Sequence, residues 1–457
     1  MTFSFRPAAL AVAALACLSL PAAAANADVD ASLKNPAYQF VQDQVLVQFQ
    51  PGQVAALREH ALSTLGLRSV KVLRGVLNSA RDSGELHLVQ LPAGKTVPQV
   101  IQALRQHSAV RFVEPNWIQS VSARQVDPYY AGGKLWGMYG DTSPVRTNAF
   151  GSQAAELFQA GKRCSSDVII GVVDEGVMNT HPDTQANIWV NPFEIAGNGI
   201  DDDGNGFVDD VNGWDFKNDD KTTFDGTTDD HGTHVSGTIG ARGMNGVGVA
   251  GVCDRVKIIS SKFLEGSGTT EDAIAAIDYI TDLKLRHNLN IVATNNSWGG
   301  GGFSQALQDA IARAGDADIL FVAAAGNGNI IGIGRDNDKT PNYPSNYPLD
   351  NIIAVASITK TGTRSGFSNW GLTTVDLGAP GSDIWSTVPT ASGPGYASYD
   401  GTSMATPHVT GAVALYASLH PGSTAAQIKA AILSSAAPTE SMAGRTVTGG
   451  RLDVSGF

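Results

Sequence analysis

Five near-continuous apolar runs, several of them separated by stretches with helical spacing, constrain this chain more than any other feature. They are Val168-Ile169-Ile170-Gly171-Val172-Val173, Val256-Lys257-Ile258-Ile259, Ile291-Val292-Ala293-Thr294, Ile319 through Ala325, and Ile352 through Ala356. Strands that are apolar along their whole length must be covered on both faces. With amphipathic stretches at Thr270 to His287 and Ser304 to Ala314 between them, the expected fold class is α/β: a parallel β-sheet flanked by helices on both faces. In such sheets ligands gather at the carboxyl ends of the strands. Three runs end in polar residues, Asp174, Asn295-Asn296-Ser297 and Gly326-Asn327, so that edge is where a site is expected.

The first third of the chain reads differently. Arg6, the apolar run Ala8 to Leu20, then Pro21 and the small residues Ala22 to Ala27 have the form of a secretory signal, too short to span a membrane stably. Residues 1–25 are assigned to it, and export to the extracellular space or periplasm is expected. A lipoprotein signal using Cys17 is the rival, but Ala14-Leu15-Ala16 before it is a poor match. Residues 26–124 alternate as short strands and helices in βαββαβ order and should form a small α+β unit. Val121 to Gln125 has no apolar period and reads as a linker open to proteolysis. Residues 125–457 are the larger domain.

Charge separates the two parts. The whole chain carries a formal −12, while Asp28 to Ala123 holds 9 basic against 7 acidic residues and Arg124 onward 21 against 36. An acidic body argues against nucleic acid and anionic membranes as partners. Once the signal is gone, Cys164 and Cys253 are left alone in an oxidising compartment, where pairing is the default expectation.

Ser403 lies in Asp400-Gly401-Thr402-Ser403-Met404-Ala405-Thr406-Pro407-His408, just ahead of the small apolar run Ala412 to Leu415. A serine at the start of a helix is either an N-cap or a nucleophile placed where backbone N–H groups favour developing negative charge. Acyl transfer needs such a nucleophile, a base to activate it and a carboxylate to hold the base in one tautomer. Asp174, His234 in Asp230-His231-Gly232-Thr233-His234-Val235-Ser236-Gly237-Thr238, and Ser403 supply these in the order Asp, His, Ser.

Together, Gly171 to Asp174, His231 to Thr238 and Gly401 to Val409 resemble the three signature blocks of the subtilisin-like serine proteases. The resemblance implies a secreted serine endopeptidase made as a zymogen, with residues 26–124 as a propeptide that inhibits it intramolecularly. It makes Asp174 the orienting carboxylate, His234 the base and Ser403 the nucleophile, with Asn327 of Ala323-Ala324-Ala325-Gly326-Asn327 completing an oxyanion hole. Gly232 is read as a turn that leaves His231 a structural role. Glu175 stands where the family more often has a small hydroxyl residue, and is expected to point to solvent.

A polypeptide substrate would be held as an added strand between Gly266-Ser267-Gly268 and Ser297-Trp298-Gly299, with Ala324, Gly326 and Asn342 lining the primary pocket. The resemblance also implies a bridge between Cys164 and Cys253, if the strands that follow them are neighbours. A monomer is expected. The alternatives are a catalytically silent calcium-dependent binding protein on the same fold, and a transpeptidase or esterase using the same triad.

Calcium enters on a separate observation. Eleven aspartates lie between Asp201 and Asp230, and Asp201, Asp203, Asn205, the Phe207 carbonyl and Asp209 follow the spacing of a calcium loop, with Asn212 in place of the usual closing glutamate. A second group, Asp127, Asp183, Asn245 and the carbonyls of Val247 and Val249, is implied by the resemblance alone.

Overall fold

The computed structural model describes residues 29–30, 32–33, 40–73, 84–118, 126–329 and 331–457. The signal segment 1–25 and the linker at 121–125 lie outside them. The chain divides into two compact units, Met1–Ala123 and Arg124–Phe457.

In the first unit the order is β1 (Phe40–Phe49), α1 (Ala55–Ser63), β2 (Arg68–Leu73), β3 (Leu86–Gln90), α2 (Val97–Leu104) and β4 (Val110–Trp117). The strands form an antiparallel sheet in the order β2-β3-β1-β4. Helix α2 starts where Thr96 and Gln99 make a reciprocal capping box, with Pro98 in the first turn where its missing N–H costs nothing. It buries Val97, Val100, Ile101 and Leu104, a single stripe at helical spacing, against Val45, Val47, Val89 and Val113 of the sheet. Each such side chain contributes about 1.5–3 kcal/mol on burial.

The second unit is built on a nine-stranded sheet in the order β14-β15-β11-β10-β9-β8-β5-β7-β6. Its central strands are β5 (Ile169–Asp174), β6 (Gly213–Asp215), β7 (Lys257–Lys262), β8 (Ile291–Asn296), β9 (Leu320–Ala324), β10 (Ile352–Ile358) and β11 (Leu377–Pro380), all paired in parallel. A hairpin, β12 (Ile384–Thr390) and β13 (Gly393–Tyr399), lies apart from it, and β14 (Ala437–Pro438) and β15 (Gly450–Arg451) close one edge.

Two apolar clusters sandwich the sheet. Helices α3 (Asp230–Gly240) and α6 (Thr402–Leu419) bring Val235, Ile239, Val409 and Val413 to one face, where Ile170, Val172 and Val355 point. Helices α4 (Thr270–His287) and α5 (Gln305–Asp316) bring Ile277, Ile280 and Ile311 to the other, against Val173, Ile259 and Phe321. Because β7 lies on one side of β5 and β8 on the other, the winding reverses at β5. Asp174, its last residue, therefore ends at the crevice where such folds bind ligands.

Cys164 and Cys253 precede β5 and β7, which are neighbours, and form a disulfide with Cα atoms 5.4 Å apart.

Candidate active site

Asp174 is fully buried at the end of β5. Its Oδ1 accepts the Glu175 N–H at 2.8 Å and lies 2.8 Å from Nδ1 of His231. The histidine that meets Asp174 is His231, not His234 as expected. His234 lies one turn deeper, about 4.5 Å further along the axis of α3. It is fully buried, its Nε2 is 2.9 Å from the Ile384 carbonyl and its ring stacks on Tyr399 at 4.5 Å.

The difference arises at Gly232. It is not a turn but part of α3, which begins at Asp230. A Cβ at 232 would collide with the Gly176 carbonyl oxygen, so the glycine lets the helix start press against the turn after β5 and brings His231 onto Asp174. The start of α3 is pinned from behind, where the fully buried Lys262 donates to Asp229 Oδ1 at 3.0 Å.

The two rings differ in electrostatics as well. Burial pulls His234 down to about 3, so it stays neutral and structural. Burial also opposes charge on His231, but the Asp174 carboxylate and its hydrogen bond, joined by Glu175 and Asp230, outweigh it and push the ring up to about 9. The His231 side chain keeps 27% of its surface exposed. His408 is buried with Nδ1 2.9 Å from the Met404 carbonyl, and has no access to the site.

Ser403 stands in the first turn of α6. Its Oγ donates to the Ser297 carbonyl at 2.9 Å, and Ser297 Oγ donates back to the Ser403 carbonyl at 2.9 Å. The reciprocal pair ties the start of α6 to the segment that follows β8. Asn327 is fixed from the same helix: its Oδ1 accepts from both the N–H and the hydroxyl of Thr402, each at 2.9 Å. With the oxygen committed to these donors, the amide NH2 is turned the other way on an exposed side chain. Thr402 went unnoticed in the sequence, although it is the residue that orients this amide.

The two expected edge segments meet. Gly266, Ser267 and Gly268 line a cavity of about 330 Å³ together with Trp298, Gly299 and Tyr343. Asn342 sits between Gly299 and Gly326, within 3.1 Å and 2.9 Å of where a Cβ on each would be; a Cβ at 299 would also meet the Tyr343 carbonyl oxygen at 2.9 Å, and Gly326 holds φ 103°, so both positions favour glycine. Ala324 is buried on β9 and Ser297 is taken up with Ser403. Glu175 does not point to solvent. It is half-buried, accepts the Gly266 N–H at 3.3 Å, and offers an oxygen within 4.8 Å of ligand atoms of both Asp174 and His231. Burial first, and the Asp174 charge second, raise its pKa.

The acidic loop forms a cluster that keeps Asp203 of the expected members, with Asn205 beside it, but not Asp201, Phe207 or Asp209. Asp201 turns its carboxylate onto the N–H groups of Gly204, Asn205 and Gly206. Asp209, at φ 57°, takes those of Gly197, Asn198 and Gly199 and pairs with Lys221 at 2.7 Å. Phe207 packs its ring on Trp214, Phe216 and Tyr279. The carboxylates that converge, within 4.8 Å of one another, are Asp203, Glu194 and Asp210. The Asn205 amide donates to Asp203 at 3.2 Å and to Asp210 at 2.9 Å. Burial pushes Asp210 up to about 6. Glu194 and Asp210 lie outside the matched spacing, which is why sequence reading passed over them.

In the second group, Asp127 accepts the N–H groups of Met244, Asn245 and Gly246, and Asp183 those of the Asn245 side chain and Val249, while Val247 donates to Asn245 Oδ1. The five residues are together, with two carboxylates among them.

Comparison with known proteins gives a consistent result. The family model described as the subtilase family matches residues 165–452, and the one described as the fervidolysin N-terminal prodomain matches residues 26–116. The chain is 37% identical to thermitase of Thermoactinomyces vulgaris over 58% of its length and 78% of that protein's. It is 30% identical to a thermophilic serine proteinase of a Bacillus species over 83% of its length and 79% of that protein's. Among solved structures, a cold-adapted subtilisin-like serine proteinase matches with TM-score 0.51 and 30% identity, covering 70% of this chain and 97% of that one.

Proposed function

The chain belongs to the subtilase family of serine proteases and carries an N-terminal prodomain, and from that premise we propose a secreted endopeptidase that works through Asp174, His231 and Ser403. The observation that carries this reading is the 2.8 Å contact between His231 and the buried Asp174 carboxylate. In the proposed mechanism Ser403 Oγ turns about χ1 from the Ser297 carbonyl toward His231 Nε2, which takes its proton as the hydroxyl attacks the scissile carbonyl. Asp174 holds the Nδ1–H tautomer and steadies the imidazolium that forms. The Asn327 amide and the Ser403 N–H meet the tetrahedral oxyanion. One such donor is worth roughly 100- to 1000-fold in kcat, a magnitude measured on a subtilisin. His231 then hands its proton to the leaving amine, and water hydrolyses the acyl-enzyme.

An extended polypeptide would pair with Gly266 to Gly268 on one side and Ser297 to Gly299 on the other, which suits a protease with broad sequence tolerance. The unit matched by the prodomain model would act as an intramolecular inhibitor until cleavage near residues 120–126 releases the enzyme as a monomer. Calcium fits the loop at 191–212: three converging carboxylates, Glu194, Asp203 and Asp210, offer oxygen donors suited to a hard cation, with His287 Nε2 held 3.0 Å from Asp203 as a hydrogen-bond partner. Its part would be to neutralise buried like charges and hold the loop. The Asp127 and Asp183 group is the second candidate, with fewer carboxylates to neutralise.

The test pairs two histidines and the nucleophile. His231→Ala should lower kcat by about 10⁴-fold or more with the fold intact, while His234→Gln should lower thermal stability first. Ser403→Ala should accumulate full-length precursor. Retained turnover in His231→Ala would reject the assignment.

A further inference from the structure

We propose that Asp174, Glu175 and His231 form a zinc-class divalent metal site whose occupation switches proteolysis off; this rests on the reading of His231 as the base. One ligand atom from each of the three lies within 4.8 Å of the others. Tetrahedral zinc with bonds of about 2.0–2.1 Å separates its ligands by roughly 3.3 Å, so small side-chain shifts suffice to close the site. A second, independent observation points the same way. Asp174 Oδ2 is buried and meets no hydrogen-bond donor among the described residues, although its side chain is fully buried, so half of this carboxylate is unspent. A small hydroxyl residue after the aspartate could have donated to it, whereas the Glu175 carboxylate adds a second acceptor instead.

The donor set selects the metal. Two carboxylates and an imidazole suit zinc and its neighbours, whereas the three convergent carboxylates of Glu194, Asp203 and Asp210, a set that His287 does not join, suit calcium. The partly exposed His231 ring offers the way in. Binding through Nδ1 replaces the contact with Asp174 and leaves the proton of the neutral ring on Nε2. That nitrogen is the one that must accept the Ser403 proton, so the metal-bound enzyme has no base. Nothing is oxidised or covalently changed, and withdrawal of the metal restores the Nδ1–H tautomer.

The experiment uses processed enzyme, stripped of transition metals over chelating resin and kept in calcium, with zinc chloride as the probe and a peptide substrate. Zinc should inhibit reversibly, a zinc chelator should restore activity, and calcium or magnesium at the same concentration should not inhibit. Glu175→Ser should cleave in the absence of zinc and require about tenfold or more zinc for the same inhibition, and Glu175→Gln should behave alike. Cobalt(II) should give a tetrahedral absorption band in the wild type that is lost in both variants. If the stripped wild type cleaves but zinc does not inhibit it, or inhibits all three proteins equally, the site is refuted. Should the stripped wild type fail to cleave at all, the proteolytic reading falls instead.

Discussion

At the scale of single residues, the proposed mechanism turns on the charge around one imidazole. In the proposed mechanism His231 must be neutral to accept a proton, and Asp174, Glu175 and Asp230 push its pKa up to about 9 against the opposing effect of burial. The acid limb of kcat/KM should accordingly lie above the range of an unperturbed histidine, with activity climbing as pH rises through that limb. Removing one nearby negative charge in Glu175→Gln should move the limb to lower pH, read from pH profiles in buffers free of transition metals. An unmoved limb would show that Glu175 does not act on the ring. Asp174, Ser403 and Asn327 were legible in the sequence because each ends an apolar strand or opens a helix, positions where polar side chains serve no packing purpose. The histidine was not. Two candidates three residues apart differ only in which of them reaches the end of β5, and that depends on where a helix begins in space.

At the scale of elements, the placement of α3 is the decisive contact. Gly232 exists so that the helix can approach the Gly176 backbone, and Lys262 with Asp229 holds the helix start in place. Gly232→Ala should cost about 1–3 kcal/mol of stability through overpacking, and should lower kcat/KM by more than the unfolded fraction explains, since His231 moves with the helix. Urea unfolding measured beside single-turnover kinetics separates the two effects. Equal losses would mean that α3 yields without displacing the base. The strands β5, β7, β8, β9 and β10 were all visible as apolar runs, and α4 was read at its full extent, because periodicity and burial act over short segments. What those runs could not convey was the lateral order β8-β5-β7, which sets the reversal of winding at Asp174.

At the scale of the whole molecule, buried acidic charge links stability to calcium. Glu194, Asp203 and Asp210 converge while Asp210 is desolvated, so a chelator of calcium should lower the thermal midpoint of the processed enzyme. In Asp210→Asn that dependence should shrink, while Asp201→Asn, which alters only a turn cap, should leave it largely intact. Equal dependence in both variants would reject this cluster as the calcium site. The sequence by itself determined the α/β class, the separate N-terminal unit, the strand-end carboxylate and amide, and the helix-borne serine, because those follow from local pattern. Tertiary structure alone decided which histidine meets Asp174, that Glu175 faces inward, and which carboxylates of an acidic loop converge. Each of these depends on how closely two backbones distant in sequence approach, and no spacing along a chain encodes that distance.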